Sequence, residues 1–157
     1  MKSVRLPAPV LRAASPAVRL WWRIRKPETF GVKALLIHPD GSGRFLAVRH
    51  SYADTRRWAL PGGGFEPSRE TPESAVSREI CEELGLKVPS SRFVVLDTVV
   101  TTLEGKRDTL TILTATAATA VLSLSPELAE ARWIGDLAEL GDAPVSRWLL
   151  AALAHCS

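Results

Sequence analysis

The spacing of apolar residues changes along the chain, and the changes mark its elements. Residues 32–38 (VKALLIH) and 45–50 (FLAVRH) are dense in Val, Leu, Ile, Ala and Phe, which predicts two strands. The intervening PDGSG has the turn chemistry of a hairpin. Residues 58–60 read as a short strand, stopped by Pro61 and by Gly62, Gly63 and Gly64. The period then becomes four: Val76, Ile80 and Leu84 form one stripe, the pattern of an amphipathic helix. Thr71 suits its N-cap, Pro72 its first turn and Gly85 its left-handed stop, so the helix is expected at about 72–84. Two Val/Thr/Ile/Leu-rich stretches, 92–102 and 109–120, predict long strands joined by the turn LEGKRD, and 131–134 a further short one. Residues 136–140 and 145–154 read as helical, with Trp148, Leu149 and Ala152 or Leu153 of the last facing inward. Mixed strands with two or three helices predict an α/β sandwich.

On the predicted helix Glu79, Glu82 and Glu83 fall on an arc adjoining the apolar stripe, at 100° per residue. Like charges three and four residues apart repel by a few tenths of a kcal/mol per pair. The arc is therefore either a plain solvated face or the seat of a cation. Three carboxylates on one arc form an oxygen-rich site that suits Mg²⁺ or Mn²⁺. The preceding glycines would let backbone approach a metal or phosphate, and Arg78 would orient one or more of the glutamates.

Composition narrows the class. At 157 residues, 46% hydrophobic and 24% charged, the chain is expected to be one soluble domain, and no apolar run reaches the length of a membrane span. Cys81 and Cys156 match no metal spacing, so a reduced, cytoplasmic protein is the default, and Cys81 reads as a packed or half-exposed thiol. The net charge of +3 is uneven: residues 1–26 hold seven of the 20 basic residues and no acid, leaving 13 basic against 17 acidic beyond them. We expect a basic N-terminal segment, 1–28, packed through Val18, Leu20, Trp21, Trp22 and Ile24 on a domain spanning 29–157. A transit peptide, a membrane-surface helix and a nucleic-acid arm are the other readings of such a segment. The acidic body argues against DNA as a partner.

The stretch GFEPSRETPESAVSREICEELGL, residues 64–86, has the form G-x5-E-x7-R-E-U-x-E-E-x-G-U, with Ile80 and Leu86 at the apolar U positions. It resembles the Nudix box, the signature of the Nudix hydrolase family, at every defining position. The resemblance implies a Nudix-type α/β/α sandwich around a mixed sheet. It also implies a metal-dependent hydrolase that cleaves a diphosphate linkage in a nucleoside diphosphate derivative by water attack on phosphorus. Glu82 and Glu83 match the family's direct metal ligands, and Gly63 the position that offers a carbonyl. Glu79 matches a glutamate that helps bind metal or serves as base, Glu70 a supporting glutamate, and Arg78 the orienting arginine. A further base often lies outside the box; Glu127 and Glu130 are the candidates here, with Glu66 and Glu104 behind them. A homodimer is common in the family.

The substrate is read elsewhere. No proline occurs between Pro89 and Pro126, Tyr52 is the single tyrosine, and no SQPWPFPxS-like sequence is present. The marks of ADP-ribose, dinucleoside polyphosphate and NADH hydrolases are thus missing, which leaves a form nearest the nucleoside-triphosphate pyrophosphohydrolases. Arg49, His50, Arg56 and Arg57 would meet phosphates or form a solvated basic loop. Trp58, Phe65 or Trp133 would stack on a base or fill the core. His38 and His155 have no partner spacing. Two alternatives to a small-nucleotide hydrolase remain: a non-catalytic Nudix-fold module, and a hydrolase acting at RNA 5′ ends.

Overall fold

The computed structural model describes residues 28–52, 54–103 and 105–156; residues 1–27 of the expected N-terminal segment, and Glu104, lie outside them. Six strands and two helices follow in the order β1 (Glu28–Ile37), β2 (Phe45–His50), β3 (Trp58–Ala59), α1 (Pro72–Leu84), β4 (Val94–Leu103), β5 (Lys106–Thr116), β6 (Leu128–Ile134) and α2 (Arg147–Ala154). The sheet runs β3-β2-β1-β5-β4, with β6 on β2. β1 and β5 are parallel from Glu28↔Arg107 to Ile37↔Thr116, and the other pairings are antiparallel.

Strand alternation sorts the core onto two faces. Val32, Ala34 and Leu36 of β1 pack with Val76, Ile80 and Leu84 of α1. Leu35 of the same strand packs with Leu149 and Ala152 of α2. This is the expected α/β/α sandwich. Burying the three stripe residues of α1 contributes about 1.5–3 kcal/mol each. The helix keeps its predicted bounds because its ends are local: Thr71 Oγ1 accepts from Ser74 N–H at 3.2 Å, and Gly85 sits at φ 67°.

Bounds set by long-range pairing differ from expectation. β1 starts at Glu28 rather than 32, because β5 pairs with it that far, and β5 itself ends at Thr116 rather than 120. β6 starts at Leu128 rather than 131, extended by pairing with β2 across a bulge at Arg49/His50. Residues 137–140 form one 3-10 turn, closed by a capping box between Asp136 and Glu139. α2 begins at Arg147, since Val145 bridges to Trp58 and Ser146 caps the helix.

One feature of the topology makes the site. β2 pairs with β1 only at Ile37↔Phe45, the mouth of the hairpin, and then turns away to β6. The glycine loop takes its place on β1: Ala34 N–H donates to Pro61 O and Val32 N–H to Gly63 O, both at 2.9 Å, and Phe65 N–H donates to Phe30 O at 3.0 Å. The loop is thereby pressed between β1 and α1.

Candidate active site

Two glycines show how tight that contact is. At Gly62, φ is 142° and an added Cβ would lie 2.1 Å from Val32 O; at Gly63 it would lie 2.5 Å from Glu79 Cδ. Neither position has room for a side chain, and Gly62 also has a backbone angle that other residues rarely adopt. The close approach brings the Gly62 N–H to Glu83 Oε2 at 3.0 Å.

The arc of carboxylates is only partly exposed. Glu82 is open, while Glu79 and Glu83 are 7% and 2% exposed. Burial raises both carboxyl pKa values. Arg78 lowers that of Glu79 in part, and Lys33 and the Gly62 N–H that of Glu83, while Glu127 pushes both up. Burying two acids four residues apart costs stability unless cations meet them.

Arg78 is the hub. Its Nε and Nη2 donate to the two carboxylate oxygens of Glu70 at 3.2 and 2.7 Å, and its Nη1 donates to Glu79 Oε1 at 2.7 Å. Nη2 also reaches Gly64 O at 3.4 Å, and Nη1 lies 3.5 Å from Glu82 Oε2. These bonds raise the guanidinium pKa further, Glu70 foremost. With Glu70, Glu79 and Glu82 drawn to Arg78 and Glu83 to Gly62, no three acidic, His or Cys side chains among the described residues surround one point in ligating geometry. The donor set still fits a hard divalent cation: carboxylate oxygens, two of them buried, beside a loop without side chains.

Glu127 is brought in from outside the box. Ser51 N–H donates to Glu127 O and Ser125 N–H to Glu83 O, both at 2.9 Å, which ties its loop to α1. Gly63 O is already engaged by Val32 N–H and keeps one lone pair for a further partner. Lys33 lies outside the motif. Its signal was a lone charge inside the apolar run VKALLI. His50 lies across the split: burial and Lys33 lower its pKa to about 4, and its Nδ1 is buried without a hydrogen-bond partner.

Several other candidates are placed elsewhere. Trp58 is 3% exposed and belongs to the α2-side core, with the Arg49 and Arg132 guanidinium carbons 5.2 and 5.1 Å from its ring centroid. Its face is not open to a base. Arg49 is bound to Glu130 through Nε (3.1 Å) and Nη2, and Glu130 also takes Arg132 Nε at 2.5 Å, so that carboxylate serves two arginines. Arg57 pairs with Asp54 at 3.2 Å on an exposed loop, and Arg56 is exposed there too. Trp133 donates from Nε1 to Ala120 O and meets His38 edge-on. His155 faces Asp97 at 3.4 Å. Glu66 is exposed, and Cys81 is exposed rather than packed, since it lies off the helix stripe.

Comparison with known proteins agrees with this fold. The family model described as NUDIX domain matches residues 28–150. A MutT-like protein of Streptomyces ambofaciens is 46% identical over 61 residues, 39% of this chain and 36% of the relative. Diphosphoinositol polyphosphate phosphohydrolase 3-alpha of Mus musculus is 41% identical over 68 residues, 41% of this chain and 40% of that protein. The matches thus span well under half the length of either curated relative. The crystal structure of a MutT NUDIX hydrolase from Burkholderia pseudomallei superposes with a TM-score of 0.67 at 26% identity, covering 83% of this chain and 98% of that one. The chain belongs to the Nudix family. Among the described residues, no helix is long and apolar enough to cross a membrane.

Proposed function

We propose that this Nudix domain is a Mg²⁺- or Mn²⁺-dependent hydrolase that cleaves a diphosphate linkage in a nucleoside diphosphate derivative by water attack on phosphorus. The observation that carries the reading is the burial of Glu79 and Glu83, next to exposed Glu82 on the same helix, against a loop in which Gly62 and Gly63 admit no side chain. A merely solvated helix face would not bury two of its three carboxylates.

Glu79, Glu82 and Glu83 would hold the cation, with the remaining lone pair of Gly63 O available beside them. When bound, the cation would activate water and neutralise charge gathering on the phosphoryl oxygens. The chain's own residues do the positioning. Gly62 N–H fixes one oxygen of Glu83. Arg78 holds Glu79 in place and is itself held by the two-point contact with Glu70. Glu127, whose loop is tied to α1, would be the carboxylate that takes a proton from water. Lys33 supplies positive charge from the β1 side.

The same intact set of carboxylates argues against a module that binds without hydrolysis. The test is a screen of nucleoside triphosphates, nucleoside diphosphate sugars, ADP-ribose, dinucleoside polyphosphates and capped RNA with each metal. The expected result is hydrolysis that requires the cation and disappears in Glu82→Gln and Glu83→Gln. Full activity in both variants would overturn the metal assignment.

A further inference from the structure

Residues 117–127, between β5 and β6, form neither strand nor helix, yet they carry Glu127. A carboxylate on so long a connection keeps its place only if the loop is tied down. On one side the loop is tied to α1. Ser123 N–H donates to Leu84 O and Ser125 N–H to Glu83 O, both at 2.9 Å, which satisfies carbonyls of the last helical turn. Glu127 N–H in turn donates to Ser125 Oγ at 3.3 Å. Leu128, the next residue, is buried in the α1-side core.

On the other side stands Ser51, the residue that follows β2. Its N–H donates to Glu127 O at 2.9 Å and its hydroxyl to Pro126 O at 2.6 Å. One residue thus grips two successive carbonyls, which takes a short side chain that can donate. The grip falls just past the place where β2 and β6 slip register, with His50 opposite Leu128. Bulges recur beside active sites, where they re-aim the chain. The charge of Glu127 is felt at both Glu79 and Glu83, so a shift of this loop changes the field at the carboxylates.

We propose that Ser51 is a positioning residue of the site: by holding the carbonyls of Pro126 and Glu127 it sets where the Glu127 carboxylate stands relative to Glu79 and Glu83. The inference rests on the hydrolase reading above, with Glu127 as proton acceptor. Ser51 touches neither water nor phosphate in this role; it acts through the loop.

The test is a double-mutant cycle on the nucleotide turned over fastest in the screen above. Ser51→Ala should lower kcat about tenfold with KM held within twofold, the scale of a small misplacement of a reacting group. Ser51→Thr should restore it, since position 51 is exposed and the hydroxyl is kept. Glu127→Gln should lower kcat about 10²-fold or more. In that background Ser51→Ala should cost less than about twofold further, because the group it positions is gone. A tenfold loss repeated in the Glu127→Gln protein, or no loss in Ser51→Ala alone, would overturn the proposal. Hydrogen exchange of the metal-free protein separates this inference from the hydrolase reading. In Ser51→Ala the amides of Ser125 and Glu127 should exchange about tenfold faster, while that of Ala75 in α1 is unchanged. Unchanged exchange at both loop amides would overturn the assignment even if hydrolysis is found. Faster exchange there in a protein that hydrolyses none of the nucleotides would uphold the hold of Ser51 on the loop and sink the enzymatic reading.

Discussion

The two helices lie on opposite faces of one sheet and are built alike, yet they bury different things. Each starts from a hydroxyl cap, Thr71 on α1 and Ser146 on α2, and each sends an apolar stripe into the sheet. α2 buries Leu149 and Ala152, and nothing charged. α1 buries Val76, Ile80 and Leu84 and also Glu79 and Glu83. Packing explains all of α2. It leaves the acids of α1 unexplained, because two buried carboxylates weaken a fold that an apolar pair would strengthen. On the proposed reading, the difference separates a helix kept for stability from one that gives up stability for chemistry.

Substitutions should split along that line. The largest effect expected is on catalysis: Glu83→Gln should lower metal-dependent kcat by about 10³-fold or more, the scale of several kcal/mol of lost charge stabilisation, with circular dichroism unchanged. Next come changes that move carboxylates without removing them. Arg78→Lys cannot reproduce the two-point grip on Glu70, and Gly63→Ala would push Glu79 aside; each should cost about 10- to 100-fold in kcat/KM. On the other face, Leu149→Ala should cost about 2–5 kcal/mol in denaturant unfolding while the folded fraction keeps its turnover. Loss of turnover in the folded Leu149→Ala protein would break the comparison.

The smallest effect is the most diagnostic. The folded pKa of Glu83 lies above its unfolded value, chiefly through burial. The native state then binds the extra proton, so this group's contribution to stability falls as pH rises from the unfolded carboxylate range toward the folded pKa. In EDTA, Glu83→Gln should therefore gain stability over the natural protein as pH is raised from 5 to 8, by about 2–4 °C in Tm per kcal/mol. Saturating Mg²⁺ should erase or reverse the gain, because bound cation favours the ionised form. A Tm difference independent of pH would show that Glu83 titrates normally.

The site was legible where its chemistry is local. Glu70, Arg78, Glu79, Glu82 and Glu83 sit on one helix and its approach, so their spacing alone places them near one another. Glu127 and Lys33 come from distant parts of the chain, and only the tie of the 125–127 loop to α1 and the split between β1 and β2 bring them in. Trp58 shows where sequence leaves two readings open. An aromatic beside a basic loop can stack on a base or fill the core, and only the fold decides: its ring is taken up by the core and two arginines.

By itself the sequence determined α1, its caps, its stripe and the carboxylates beside it, because helical period and capping act within a few residues. Only the tertiary structure decided which carboxylates lose water. That depends on β1 and the glycine loop closing over Glu79 and Glu83, through a contact near enough to exclude a Cβ. It also decided that Arg78 would gather Glu70, Glu79 and Glu82 at once. The charges were written locally; their desolvation required neighbours from across the sheet.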